Sequence, residues 1–175
     1  FVGGTLSQLT LEGVRFTTPE GAAISVTDGS LTLRDVDMPN DANQVIAEEH
    51  SLTASLDIAS SRIPVAACIG DTAVCTLRDS TFIMFGVIGA QATLDAQRIV
   101  SAGVGPSTGL YVASNGRVHV TDSTFSDHAK PIEVNASDAD ILIERTRFFG
   151  NTGPMRGQGG GMVRLDDVEF SDNLV

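Results

Sequence analysis

Val118-His119-Val120-Thr121-Asp122-Ser123-Thr124-Phe125 carries the pattern that decides the fold. Val118 and Val120 alternate with polar neighbours, which places them on one face of a strand. Asp122 is a residue type that tolerates a left-handed backbone at a sharp bend, and Phe125 is a large apolar anchor three residues later. Upstream the same phrase stands at Cys75-Thr-Leu77-Arg-Asp-Ser-Thr-Phe82, at Leu31-Thr-Leu33-Arg-Asp-Val-Asp-Met38 and at Leu9-Thr-Leu11-Glu-Gly-Val-Arg-Phe16. Downstream it stands at Ile141-Leu-Ile143-Glu-Arg-Thr-Arg-Phe148 and Val163-Arg-Leu165-Asp-Asp-Val-Glu-Phe170. Weaker copies are read at Leu52 to Ala59 and Ala92 to Ile99, so the anchors fall at 16, 38, 59, 82, 99, 125, 148 and 170. The mean step is 22 residues, the signature of a solenoid whose units are strands.

The position between the two inward residues reads Thr10, Thr32, Thr53, Thr76 and Thr93, then His119, Leu142 and Arg164, and is expected to face outward. The bend position is Gly13, Asp35, Asp79, Asp122 and Asp167, with Leu56, Ala96 and Arg145 as departures. Five of the eight Phe residues are anchors and are expected to stack as an internal ladder from coil to coil. A further short strand precedes each phrase, as in Ala23-Ile-Ser-Val26, Leu110-Tyr-Val112 and Ile132-Glu-Val134. The expectation is an all-β chain: one domain over 1–175, a right-handed parallel β-helix solenoid of about eight coils with three short strands each.

The phrase resembles the apolar-x-apolar-x-Asn-x-x-Phe coil of the pectin-lyase-like β-helices, with Asp in place of the turn Asn. In the C-terminal third, Phe148-Phe-Gly-Asn151 and Phe170-Ser-Asp-Asn173 resemble the Phe-x-x-Asn element of polymorphic outer-membrane protein repeats. Gly159-Gly-Gly-Met162 is similar to their Gly-Gly-Ala-apolar element, whereas Phe125-Ser-Asp-His128 departs from Phe-x-x-Asn. The resemblance implies a cell-surface or extracellular passenger used in adhesion.

Composition narrows the partners. With 11 basic against 22 acidic residues the net charge is −11, which argues against nucleic acid and anionic membranes. The longest apolar run, 82–92, is too short to span a bilayer and is broken by Gly86 and Gly89, so no membrane insertion is expected. The absence of an initiator Met reads as an excised piece of a longer chain or a mature secreted product. The expected partners are a surface glycan or protein ligand. Flanking coils or a second copy are expected to cover the open ends.

Chemistry-bearing residues crowd at Asp127-His128-Ala129-Lys130-Pro131-Ile132-Glu133, with Arg145 and Arg147 one coil on. Polysaccharide lyases and epimerases on this fold use such residues to neutralise a uronate and remove its proton, sometimes with Ca²⁺. His128, Lys130, Glu133, Arg145 and Arg147 are therefore the candidate ligand-binding set, and the alternative to an adhesin or spacer is a carbohydrate-active enzyme on an acidic polysaccharide. A solvated turn explains the same residues, so none is assigned as catalytic. Asp35 with Asp37, Asp138 with Asp140 and Asp166 with Asp167 form no Asp-x-Asp-x-Asp-Gly loop, and no metal ligand is assigned. The Thr column is explained by β-propensity, because charges of both signs beside it spoil a flat ice-like face. Cys68 and Cys75 bracket a corner between two strands, and either buried thiols or a disulfide fits there. Asn135-Ala-Ser137 is a glycosylation sequon, relevant only on a eukaryotic secretory route.

Overall fold

Alternation with a period of 22 residues folds the chain into a parallel β-solenoid, seen in a computed structural model that describes residues 2–4, 8–17, 21, 23–50 and 53–174. Three parallel sheets run its length. The first holds eight strands from Val2–Gly4 to Arg156–Gln158, and the second eight from Gln8–Glu12 to Met162–Asp166. The third has five short strands from Thr81–Phe82 to Glu169–Ser171, extended toward the N-terminus by single bridges at Arg15, Asp37 and Arg62. Each strand pairs with the one a coil away, which gives seven turns from the first rung to the last.

Alternation sorts the side chains. Leu31, Leu33, Leu56, Ile58, Leu77, Val118, Val120, Ile141 and Ile143 point into the bore and are fully buried. Their outward neighbours are a mixture of charged residues, such as Arg34, Asp57, Arg78 and Glu144, and uncharged ones, such as Thr32, Thr76 and Leu142. Burial of these aliphatic columns is the main favourable term holding the coils together, roughly 1.5–3 kcal/mol for each such side chain.

Strand register corrects two of the eight coils. Leu31 pairs with Leu56 and Leu33 with Ile58, so the third phrase runs from Leu56 and its anchor is Ile63, not Ala59. Leu94 and Ala96 pair with Cys75 and Leu77, and Ser101 pairs with Phe82, so the fifth anchor is Ser101, not Ile99. Leu52 lies outside the described residues. The outward central column therefore reads Thr10, Thr32, Asp57, Thr76, Asp95, His119, Leu142 and Arg164; Thr53 and Thr93 are not part of it.

With the register corrected the bend rule has no exceptions. Gly13, Asp35, Ser60, Asp79, Arg98, Asp122, Arg145 and Asp167, each three before its anchor, all have φ between +45° and +64°. Arginine is an unusual choice for a left-handed backbone, which costs an ordinary L-residue about 1–2 kcal/mol. Both arginines make two contacts to the Asp at the preceding bend. Arg98 reaches Asp79 at 2.5 and 2.8 Å, and Arg145 reaches Asp122 at 2.7 and 3.2 Å. Hydrogen bonds from these guanidinium groups hold the Asp79 and Asp122 carboxyls below the usual carboxylate range. The five bends from Asp79 to Asp167 thus alternate in sign along one edge.

Beneath the bends runs a buried hydroxyl column. Ser61, Ser80, Ser123 and Thr146 each donate to the carbonyl two residues back. The same oxygens accept the backbone N–H of Val36, Ser61 and Ile99 and, more loosely, Ser123 in the preceding coil. These groups would otherwise be orphaned where the ladder turns a corner.

The aromatic ladder is real but shorter than expected. Phe125, Phe148 and Phe170 stack with centroids 4.9 and 5.2 Å apart. Ser101 interrupts the column, and Phe85 from the first sheet fills the gap, 5.6 Å from Phe82 and 5.8 Å from Phe125. Met38 and Ile63 stand where the N-terminal coils would carry Phe. Cys68 and Cys75 are both buried and joined as a disulfide, with Cα atoms 6.0 Å apart, across the corner between the first and second sheets.

Candidate functional site

The side chains that suggested a uronate site are placed on different parts of the rod. His128 is fully buried, at the position three after anchor Phe125. Its Nε2 lies 3.0 Å from Ser101 Oγ and its Nδ1 3.0 Å from Ser107 Oγ. The backbone N–H of His128 donates to Asn151 Oδ1 at 3.0 Å. Gly109 makes room for the ring, since a Cβ there would sit 3.0 Å from Nε2. Lys130 and Glu133 are the one pair brought together, with Nζ 3.0 Å from both carboxylate oxygens on the outer face of the first sheet. Arg145 is held at its bend by Asp122. Arg147 lies on the third sheet, 3.3 Å from Glu169 and 5.0 Å above the Phe149 ring.

Burial of His128 pushes its pKa below the usual histidine range, only partly countered by Ser101 and Asp127. The folded state then binds this proton less readily than the unfolded chain. Stability contributed by the neutral ring is complete above about pH 6.5 and is lost as pH falls toward the depressed folded value. His128→Asn places in this slot the residue that Asn151 and Asn173 supply in the next two coils. Urea midpoints between pH 7.5 and 5 should therefore fall more for the native chain than for His128→Asn. Equal falls would show that His128 is not held neutral.

Two surface features remain. On the outer face of the second sheet, three adjacent coils set His119 between carboxylates. Its Nε2 is 2.6 Å from Glu144 Oε2 and its Nδ1 3.9 Å from Asp95 Oδ1. Arg78 lies 4.0 Å from Asp95 and Arg145 3.8 Å from Glu144. A shallow depression of about 420 Å³ lies beside them, lined by Val74, Thr76, Thr93, Asp95, Arg117 and His119. Among the described residues no group of three or more His, Cys, Asp or Glu is arranged to hold a metal ion.

The second feature is a notch. In two consecutive coils the passage from the anchor to the next first-sheet strand takes almost no residues: Ile63-Pro64-Val65 and Phe82-Ile83-Met84. The coils on either side have longer turns there, over 39–43 and 103–107. The result is a groove of about 150 Å³ with Ile63, Pro64, Phe82 and Ile83 on its floor, Pro39 and Asp41 on one wall and Val104 on the other.

Comparison with family models, with curated proteins and with solved structures finds no match. Function must therefore be argued from these surfaces. Sequence reasoning misses the His119–Glu144 contact because the two residues are 25 apart and meet only through register. The signal is nonetheless present, since one 23-residue step links the strands that carry them. The notch is also legible in principle, because the two coils that form it are the shortest.

Proposed function

We propose that the chain is a non-catalytic β-helix segment at the cell surface or outside the cell, acting as a binding surface, adhesin element or spacer. The observation that carries this reading is the allocation of side chains. Most outward charges near the candidate residues are engaged with one another, between coils in Arg98–Asp79, Arg145–Asp122 and Arg147–Glu169 and along one strand in Lys130–Glu133, and His128 is buried. What faces solvent is a rigid wall with an apolar notch, suited to contact rather than turnover. A disulfide inside the corner fits an oxidising compartment. Kinship with the pectin-lyase-like helices, and of the C-terminal coils with polymorphic outer-membrane repeats, belongs to the same proposal. It rests on the Phe-x-x-Asn elements, whose Asn151 and Asn173 side chains bond coil to coil.

Incubation on a polysaccharide and glycoprotein array, with absorbance detection of unsaturated uronates, tests the reading. Retention on a glycan or protein without product is the expected result. Accumulating product would overturn it in favour of an enzyme. Loss of that product in Glu144→Gln would then place the acid–base chemistry at His119 and Glu144.

A further inference from the structure

A chain of four hydrogen bonds joins the floor of the notch to its wall. Ser101 Oγ donates to the carbonyl of Ile83, on the floor, at 3.3 Å. With its hydrogen engaged there, Ser101 accepts from Nε2–H of His128 at 3.0 Å. Nδ1 is then the bare nitrogen and accepts from the Ser107 hydroxyl at 3.0 Å. Ser107 Oγ in turn accepts the backbone N–H of Val104, on the wall, at 3.1 Å. That wall is the loop 103–107, in which Val104, Gly105 and Pro106 are exposed. Gly105 has φ +64°, and a Cβ at Gly103 would meet the Asp127 carbonyl at 2.3 Å, so the loop is built to lie close against the next coil.

We propose that His128 is an acid-sensitive latch: neutral, it fastens loop 103–107 as one wall of the notch, and protonated, it releases the loop and opens the notch on that side. Binding a proton turns Nδ1 from acceptor into donor, so the hydroxyl hydrogen of Ser107 loses its partner. It also places a cation at a fully buried position, which is costly unless water or a carboxylate meets it. Lifting the loop admits water to Nδ1 and removes both costs. The other neighbours are less free to move, because Ser101 sits within the third sheet and Asn151 ties the His128 backbone to the following coil. The latch does not depend on which partner the notch contacts.

Ser101 faces the ring from the third sheet, Ser107 from the loop, Gly109 from the first sheet and Phe125 from its own coil, with Asn151 and Thr152 beyond it in the next. The flanking charges are Asp127, which favours the proton, and Lys130, whose Nζ is held by Glu133 on the outer face. Burial outweighs Asp127, so the closed site binds the proton less readily than a hydrated imidazole, which takes it up at about pH 6.5. Below that value each pH unit favours the released loop by up to about tenfold, until the closed site protonates as well. In the next two coils Asn151 and Asn173 fill this slot and bond the Phe125 and Phe148 carbonyls. An amide does not titrate, so the latch belongs to this one corner.

Hydrogen exchange of the full chain between pH 7.5 and 5, corrected for the intrinsic pH dependence of amide exchange, tests the latch. The Val104 and Lys130 amides bond Ser107 Oγ and the Ser107 carbonyl, so they report whether the loop is fastened. Their protection should fall about tenfold, while the second-sheet amides of the same coil stay protected. In His128→Asn the fall should vanish. The imidazole resonances of the native chain give a second reading, with His50→Gln and His119→Gln assigning His128 by elimination. Protonation of His128 should track the loss of Val104 and Lys130 protection, and this titration decides alone if His128→Asn does not fold. Protection at Val104 and Lys130 that is unchanged with pH, or that falls equally in His128→Asn, would overturn the proposal. So would protonation of His128 with the loop still protected.

Discussion

Phe148→Ala is expected to lower stability by about 3–5 kcal/mol in denaturant titration, as for other fully buried Phe side chains. The ring is fully buried and lies face to face between Phe125 at 4.9 Å and Phe170 at 5.2 Å. Its loss removes the burial free energy of a large side chain and leaves a void. The stack is closed above and below, and the flanking strands are fixed in register, so the surroundings have little freedom to collapse into it. Phe170→Ala provides the internal comparison. The same residue type in the same column is 53% exposed, and its truncation should cost less than half as much. A loss under about 1 kcal/mol at Phe148 would mean that the anchor column does not hold the coils together.

Asn151→Leu is expected to cost about 3 kcal/mol even though it preserves volume, because two buried backbone groups lose their partners. The Asn151 side chain accepts the His128 N–H at 3.0 Å and donates to the Phe125 carbonyl at 3.1 Å. It also donates to Asn173 Oδ1 at 2.9 Å, linking two coils. Backbone bonds cross this corner from the Thr152 N–H to the His128 carbonyl and from the Leu174 N–H to the Asn151 carbonyl, and the Asn151 side chain adds the partners of the His128 N–H and the Phe125 carbonyl. Hydrogen exchange should show the loss locally, as faster exchange of the His128 amide with the second-sheet amides of the same coil still protected. An unchanged His128 amide would show that another group satisfies it.

The fold is legible because two periods coincide in the sequence, alternation within the strand and a 22-residue step between strands. The two misframed coils show what that signal lacks. Reading Ala59 for Ile63 shifts the phrase by four residues, and reading Ile99 for Ser101 shifts it by two. Even shifts leave every side chain on the same face, so alternation cannot expose the error. The features that normally mark the frame have also changed. Ser60 and Arg98 stand at the bends in place of Asp, and Ser101 is a polar anchor whose space Phe85 occupies from another sheet. Asp127 and Lys130 flank His128 and suggest a solvent-facing ring. Its place three after Phe125, equivalent to Asn151 and Asn173, is what buries it. Arg145 and Arg147 look like a carboxylate clamp in the sequence. Their partners, Asp122 and Glu169, lie one coil away and are recoverable only once the frame is correct.

The three corners of the coil are not equivalent. From the first inward residue of the second sheet to the anchor, every coil spends seven residues and passes through one left-handed bend. The differences in coil length fall in the other two corners, which stretch or contract without disturbing the stack. A one-residue insertion between Asp122 and Phe125 would invert the faces of the third-sheet strand beyond it, whereas one within 39–43 or 103–107 only lengthens a wall of the notch. Evolution of this chain can therefore rewrite one rim of the rod, in length and in composition, while the opposite edge stays fixed. That rim is where loops from another protein could be grafted and displayed at intervals set by the strand spacing, about 4.8 Å.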